Sequence, residues 1–441
     1  MEIPMFPPDD IQKSAKQMVA RAYTDTAPGA ALLLGKKGQI IFREGTGLAN
    51  LEHQVPLTPD MPFRLASLTK PLTSTAILML VEAGELALTD SLNHFLPDYP
   101  MGETTITIEH LLTHTSGIPD YTELPEWWAI HRQDLRVDQL IDLFKVQPKA
   151  FAPGTRWAYS NSGYVLLGAI LETISGVSYG KFMAEHIFTP LGMSNTSYEA
   201  TSSRVIPHMA NGYSKAPEGH LHPEYLSYTH LYASGGLVST LDDLARWYAA
   251  LHEGRLLTPE TLRRMWTPYR LADGTSARYG YGWWLGECRG QPAAEHFGSM
   301  PGYAHYLLSF PEDDVLSIVL SNNEGKLNHV EQLAVGMAGL ALGKPYQPPA
   351  TFPLSPTELS HFAGSYLTRE GRMLTVVDEA GHLILQGAPE ERFVLQAVSP
   401  REFFFSEIPE SRLIFSGTKD GVSGFDWVPR RGIPIHALKT H

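Results

Sequence analysis

The sequence predicts an α+β sandwich, an antiparallel sheet flanked by helices, followed by a small all-β unit. Strand patterns open the chain and return late, with a mostly helical middle between them. A proline-rich stretch, residues 344–356, then interrupts the pattern. Beyond it, short strand-like runs recur at even spacing with glycine turns between several of them. The expected organisation is residues 1–343, a linker over 344–356, and a β unit over 357–441.

Taken in order, Ile11 to Tyr23 has the spacing of an amphipathic helix. Ala30 to Gly35 and Lys36 to Phe42 read as a hairpin turning at Lys37-Gly38. Leu72 to Gly84 is apolar on nearly every side and closed by a glycine, a buried helix with Pro71 in its first turn. Leu88 to Tyr99 is a short amphipathic segment, Ile108 to His114 a helix, and Thr115 to Tyr121 its loop exit. Helical patterns follow at Val137 to Phe144, Gly163 to Ser175 and Leu241 to Glu253. Strands are expected at Gly280 to Leu285, Ala304 to Phe310 and Val315 to Ser321, completing one sheet from both ends of the chain. The late runs start at Leu374, His382, Phe393, Glu402, Arg412, Phe425 and Ile435, a small up-and-down barrel or sandwich.

The 441 residues are 43% hydrophobic and 18% charged, enough chain for a large core. A formal charge of -13 argues against nucleic acid or an anionic membrane as the main partner. The single cysteine, Cys288, rules out an intrachain disulfide and reads as a packed residue of a strand-like run. Residues 1–10 show no basic start or apolar h-region, so the chain as given reads as cytoplasmic, and no run reaches the length of a membrane span.

Chemistry concentrates before the apolar helix. Ser67 stands at its N-terminus, where orphan N–H groups favour developing negative charge, and Lys70 follows one turn later on the same face. Such a pair can act as nucleophile and base. Ser-x-x-Lys alone decides nothing, since it also occurs at Ser178/Lys181 and Ser416/Lys419. Ser178 opens an amphipathic helix as a plain N-cap, and Ser416 runs into an Asp420-Gly421 hairpin turn. Only the first pair precedes a helix too apolar for a surface.

Two further segments supply partners. Tyr159-Ser160-Asn161 lies in a loop before a helix. A tyrosine beside a lysine can have its pKa lowered and serve as general base and acid, and an asparagine amide can orient the lysine or bond a substrate carbonyl. The bland reading is a packed phenol and a helix cap. His296-Phe297-Gly298-Ser299 precedes a strand, and Gly298 would let a substrate backbone approach the strand edge.

Together these elements resemble the serine β-lactamase and penicillin-binding protein superfamily, in the branch with tyrosine in the second motif. That branch holds class C β-lactamases, DD-carboxypeptidases, D-aminopeptidases and β-lactamase-fold esterases. Pro62 to Ser67, Leu111 to Gly117 and Ala233 to Leu237 look like its framing segments, over about Gly29 to Asn323. The strands from Phe362-Ala363-Gly364-Ser365-Tyr366 onward look like the lipocalin-like barrel appended to some members. The resemblance implies a β-lactamase-like fold with a helical subdomain, Ser67 as acylated nucleophile and Lys70 as its activator. It implies Tyr159 as proton shuttle, Asn161 positioning Lys70 and substrate, and the N–H groups of Ser67 and Ser299 as oxyanion hole. His296 stands where β-lactamases carry a lysine, with Phe297 where a threonine would help clamp a carboxylate. Phe297, Gly298, Tyr121 and Tyr232 are candidate substrate-contacting residues.

The implied activity is cleavage of small D-amino-acid peptides or amides, or of carboxyl esters, with a small molecule or short peptide as partner, a homo-oligomer open and no metal or organic cofactor called for. A β-lactamase or DD-carboxypeptidase is the alternative, as is a non-catalytic relative binding cell-wall peptides, against which the intact Ser67, Lys70, Tyr159 and Asn161 count. Competing motifs read as structure. Gly176-Val177-Ser178-Tyr179-Gly180 matches Gly-x-Ser-x-Gly but joins two helices rather than strand to helix. His110 and His114 are spaced as zinc ligands on one helix but lack the glutamate and a third ligand. Trp127-Trp128 lines a pocket or anchors a lid, and His220-Leu221-His222 is a solvated loop.

Overall fold

The computed structural model describes residues 8–198, 204–345, 349–369, 371–379, 381–387, 392–406, 409–418, 421–430 and 434–440. The chain divides into two compact units, Met1–Leu285 with Pro292–Lys344, and Gly286–Gln291 with Pro345–His441.

The first unit is organised on a sheet whose strands Gln291–Met300, Tyr303–Phe310, Val315–Ser321, Ala30–Lys36 and Gln39–Thr46 lie in that order. The late strands meet the early ones where Val315–Ser321 pairs antiparallel with Ala30–Lys36, Leu33 opposite Ile318. Every residue of Tyr303–Phe310 and Val315–Ser321 is buried, so both faces of the sheet centre are covered. The helices Pro8–Ala22, Leu241–His252 and Leu327–Ala341 pack against these strands. The first hairpin turns at Lys37 and Gly38, both at positive φ (51° and 70°), as a two-residue turn between twisted strands requires.

The helical region is built around Thr69–Glu82, in which Thr69 to Leu78 and Leu80 are all buried. It packs against Asn161–Ser175 and the short helix Tyr232–Gly235. A helix covered all round needs no polar face. Gly84, at φ 75°, follows its C-cap in the left-handed conformation that ends it.

In the second unit eight antiparallel strands close into a barrel, each paired with the next and the last, Ile435–Lys439, with the first, Gly364–Thr368. Closure removes the sheet edges. The interior takes alternate side chains, among them Tyr366, Leu383, Leu385, Phe403, Phe405, Phe415 and Phe425, all buried.

Three local expectations are corrected. The strand placed at Gly280 to Leu285 begins at Trp284, because Gly280 donates its N–H to the Trp283 carbonyl (2.8 Å) and Gly282 has φ 80°, a closed turn. His296 to Ser299 lies within a strand rather than before one. The helix from Ile108 ends at Leu112, and His114, at φ 58°, is outside it, so the His110/His114 spacing never occurs on one helix. His110 instead completes a capping box with Thr107. Ser416 lies in the strand Arg412–Thr418, which pairs with Gly421–Val428, whereas Lys419 and Asp420 lie outside the described residues, as do residues 346–348 of the proline-rich stretch. Among the described residues no helix is long and apolar enough to cross a membrane.

Candidate active site

The start of the apolar helix is shaped for exposure of one side chain. Ala66, at φ 49°, sits in the left-handed region that a side chain disfavours, and a 3-10 turn, Ala66–Leu68, leads into the helix. Ser67 rides on this turn, half-buried while Ala66 and Leu68 are buried. Space for the turn comes from Gly298: a Cβ there would lie 2.4 Å from the Leu65 carbonyl oxygen and 3.4 Å from the Ala66 Cβ. What the missing side chain admits is therefore the chain's own Leu65.

Lys70, fully buried, is the hub. Its Nζ lies 3.2 Å from Ser67 Oγ, 2.7 Å from Asn161 Oδ1 and 2.9 Å from the Ser234 carbonyl oxygen. The last two are acceptors only, so they hold two N–H bonds and leave the third direction to Ser67. Burial lowers the Lys70 amine to about 7, with the Asp120 carboxylate opposing the shift. A neutral amine in that orientation offers its lone pair to the serine hydroxyl.

Asn161 is the first residue of its helix, with Ser160 at the N-cap position, so its side chain does not cap. Its Nδ2 donates to Asp120 Oδ2 at 2.9 Å, and its backbone N–H reaches the same oxygen at 3.2 Å. Asp120 Oδ1 accepts from the Thr122 N–H (3.0 Å) and hydroxyl (2.9 Å). The carboxylate thus decides which end of the Asn161 amide faces Lys70.

Tyr159 stands with its ring centroid 4.7 Å from the Lys70 ammonium. Its hydroxyl is buried and makes no hydrogen bond among the described residues. The expectation that Lys70 lowers its pKa is overturned: burial raises it well above the usual phenol value, with Ser67 the neighbour that opposes the shift. The cation lies over the ring face rather than beside the oxygen, and desolvation wins. Beneath the ring lies His114, 4.4 Å between centroids. His114 Nδ1 accepts the Ser160 N–H (3.1 Å), which puts its proton on Nε2. Burial first, then Lys70 and His296, hold His114 well below its usual pKa.

His296 is fully buried on the strand Gln291–Met300. Its Nδ1 lies 2.7 Å from the Phe297 carbonyl, which can only accept, and its Nε2 lies 3.1 Å from the Tyr279 hydroxyl. Both ring nitrogens are engaged within the protein, unlike an extended lysine. Phe297 is half-buried, its ring stacked on His296 at 5.8 Å. Ser299 lies opposite Ala304, one step from the Met300–Tyr303 pair that closes a two-residue hairpin turn. Antiparallel alternation turns the Ser299 N–H away from the neighbouring strand.

Tyr121 and Tyr232 do not form an open wall. Tyr121 is fully buried, donates its hydroxyl to the His230 carbonyl and packs on Phe144 and Trp127. Tyr232, 1% exposed, packs on Tyr179 and Tyr198. Both support the segment carrying Ser234 rather than facing a substrate. Trp127 is buried with Nε1 donating to His230 Nδ1 (2.9 Å), while Trp128 is 55% exposed. Ser178 caps its helix, accepting from the Lys181 N–H. Among the described residues no group of side chains could hold a metal ion.

Asp120, the Ser234 carbonyl, Tyr279 and His114 are site components that pattern reading passed over. Asp120 was within reach, since Asp-x-Thr after a proline is an N-cap signal. Its role needs a partner 41 residues away.

A serine–lysine pair at the start of a buried helix, backed by an antiparallel sheet, defines the class of fold. Residues 15–340 match the Beta-lactamase family model, and the chain belongs to that family. It is 31% identical over 398 residues to penicillin-binding protein 4* of Bacillus subtilis (strain 168), covering 85% of this chain and 87% of that one. It is 27% identical over 365 residues to a D-aminopeptidase of Gluconobacter oxydans (strain 621H), covering 80% of this chain and 65% of the relative. Among solved structures, the D-amino acid amidase of Ochrobactrum anthropi SV3 in complex with L-phenylalanine amide superposes with a TM-score of 0.65. It is 26% identical and covers 76% of this chain and 97% of that one.

Proposed function

We propose that this chain is a serine hydrolase that forms an acyl-enzyme on Ser67 and cleaves small D-amino-acid amides or peptides, or carboxyl esters. The carrying observation is the Lys70 amine, lowered to about 7 and fixed by Asn161 and Ser234 so that its third direction meets Ser67 Oγ at 3.2 Å.

In this reading the Ser67 hydroxyl proton passes to neutral Lys70 as Oγ attacks the substrate carbonyl carbon. The N–H groups of Ser67 and Ser299 receive the oxyanion, each worth roughly 3–4 kcal/mol. Tyr159, a neutral phenol, gives its proton to the leaving nitrogen or oxygen and takes the one held by Lys70. The scissile bond breaks, leaving the acyl group on Oγ. Water then attacks the ester, its proton returning along the same groups, and Ser67 is restored. Asp120 acts one step back, as a positioning residue that orients Asn161.

The engaged His296 and the absence of a neighbouring hydroxyl at Phe297 weigh against a substrate-carboxylate clamp of the β-lactamase kind. The relatives named D-aminopeptidase and D-amino acid amidase support amide substrates. Wild type and Ser67→Ala, assayed in parallel on a short p-nitrophenyl ester and on D- and L-alanine p-nitroanilide, test the reading. Anilide cleavage with D preference identifies an amidase or aminopeptidase, and ester turnover alone an esterase. Equal rates in wild type and Ser67→Ala would remove the nucleophile.

A further inference from the structure

A second feature shares no residue with the site around Ser67. Lys215, His220, Lys326 and His329 line a hollow of about 370 Å³, closed on its other side by the end of the first helix and the Thr24–Pro28 loop. The remaining lining residues carry no charge, although the chain as a whole stands at -13. Glu324, two residues before Lys326, has its Oε2 on the Gly302 N–H at 2.6 Å, and Glu218 and Asp25 do not line the hollow.

Among the described residues none of the four basic side chains has a carboxylate partner within ion-pair distance. They bear on one another instead. Lys326 is lowered by burial and then by Lys215; His329 by burial, then Lys326, then Lys215; His220 by burial, then Lys326. The fifteen-residue helix Leu327–Ala341 begins here, and its N-cap residue, Lys326, supplies no side-chain acceptor to the first turn. Positive charge meeting a helix N-terminus in a concave site, with the Tyr23 ring near the Lys326 ammonium (5.8 Å to its centroid), is the arrangement that binds an anion.

We propose that this hollow binds a phosphate group, free or as the monoester of a small metabolite. Two lysines and two imidazoles match a dianion with three acceptor oxygens better than a single carboxylate. Binding would also offset the repulsion between Lys215 and Lys326 when the hollow is empty.

The test is calorimetric titration of the full chain at pH 7 with inorganic phosphate and with glycerol 3-phosphate, ionic strength held constant with NaCl, and citrate as the carboxylate arm. One saturable site is expected, weakened at least tenfold in the Lys215→Gln/Lys326→Gln double variant and unchanged in Ser67→Ala. Both lysines are at least partly exposed, and a thermal melt in NaCl confirms that the double variant is folded. If inorganic phosphate binds and the monoester does not, the ligand is the free ion; the converse makes it a phosphorylated molecule. No saturable binding of either, equal affinity in the double variant, or tighter binding of citrate would overturn the proposal.

Discussion

Asn161 is tied to Asp120 twice, through its side-chain amide at 2.9 Å and its backbone N–H at 3.2 Å, both to the same carboxylate oxygen. That leaves Oδ1 as the end facing Lys70. In Asp120→Asn the bond pattern becomes ambiguous and the charge is lost. A charge-assisted hydrogen bond is worth about 1.5–3 kcal/mol, so kcat/KM should fall about 10- to 100-fold. Because the Asp120 charge raises the Lys70 pKa, its removal should also move the acid limb of the pH profile to lower pH. A fall in rate with the limb unmoved would reduce Asp120 to a structural cap.

The wild-type pH profile is a separate prediction. Lys70 must be neutral to take the Ser67 proton, and its pKa is about 7. Activity should therefore rise with pH through about 7 and be lost below it, as the amine protonates. A limb near the ordinary lysine value would mean that Lys70 stays charged and another group is the base.

Tyr159→Phe separates chemistry from packing. The hydroxyl is buried without a hydrogen bond, so its removal should leave the melting temperature unchanged or slightly raised. General acid–base catalysis contributes about 10²–10⁴-fold, and kcat should drop by that order. Full activity in the phenylalanine variant would send the leaving-group proton by another route.

Gly298→Ala places a methyl 2.4 Å from the Leu65 carbonyl oxygen, a backbone atom with little freedom to yield. The turn bearing Ser67 must shift, at a cost of about 1–3 kcal/mol for overpacking. Thermal unfolding and ester turnover should both decline. An unchanged melting temperature would show that the strand and the Ser67 turn are not in contact.

Much of this was legible in the chain because it depends on short-range pattern. Ser67 and Lys70 are three residues apart at the start of a helix whose apolar composition declares its burial, and Tyr159 and Asn161 stand where a loop enters another helix. Alternation and turn glycines marked the β unit, and the closing strand Gly364–Thr368 needed only the partner Ile435–Lys439 to complete a barrel. The rest depended on tertiary contact. Ser234 contributes a carbonyl that any residue has. Tyr159 has its proton affinity set by burial rather than by the cation beside it. Tyr121 and Tyr232 belong to segments near the site, yet their rings turn into the core. Gly298 proved to serve the fold, for a glycine's missing side chain does not say what fills the space.

The most direct measurement is mass spectrometry of the wild-type chain quenched in acid during turnover of a slow p-nitrophenyl ester, followed by peptide mapping. The account predicts a single added acyl mass on the peptide containing Ser67, absent from Ser67→Ala. An acyl group on any other residue, or turnover undiminished in Ser67→Ala, would contradict it.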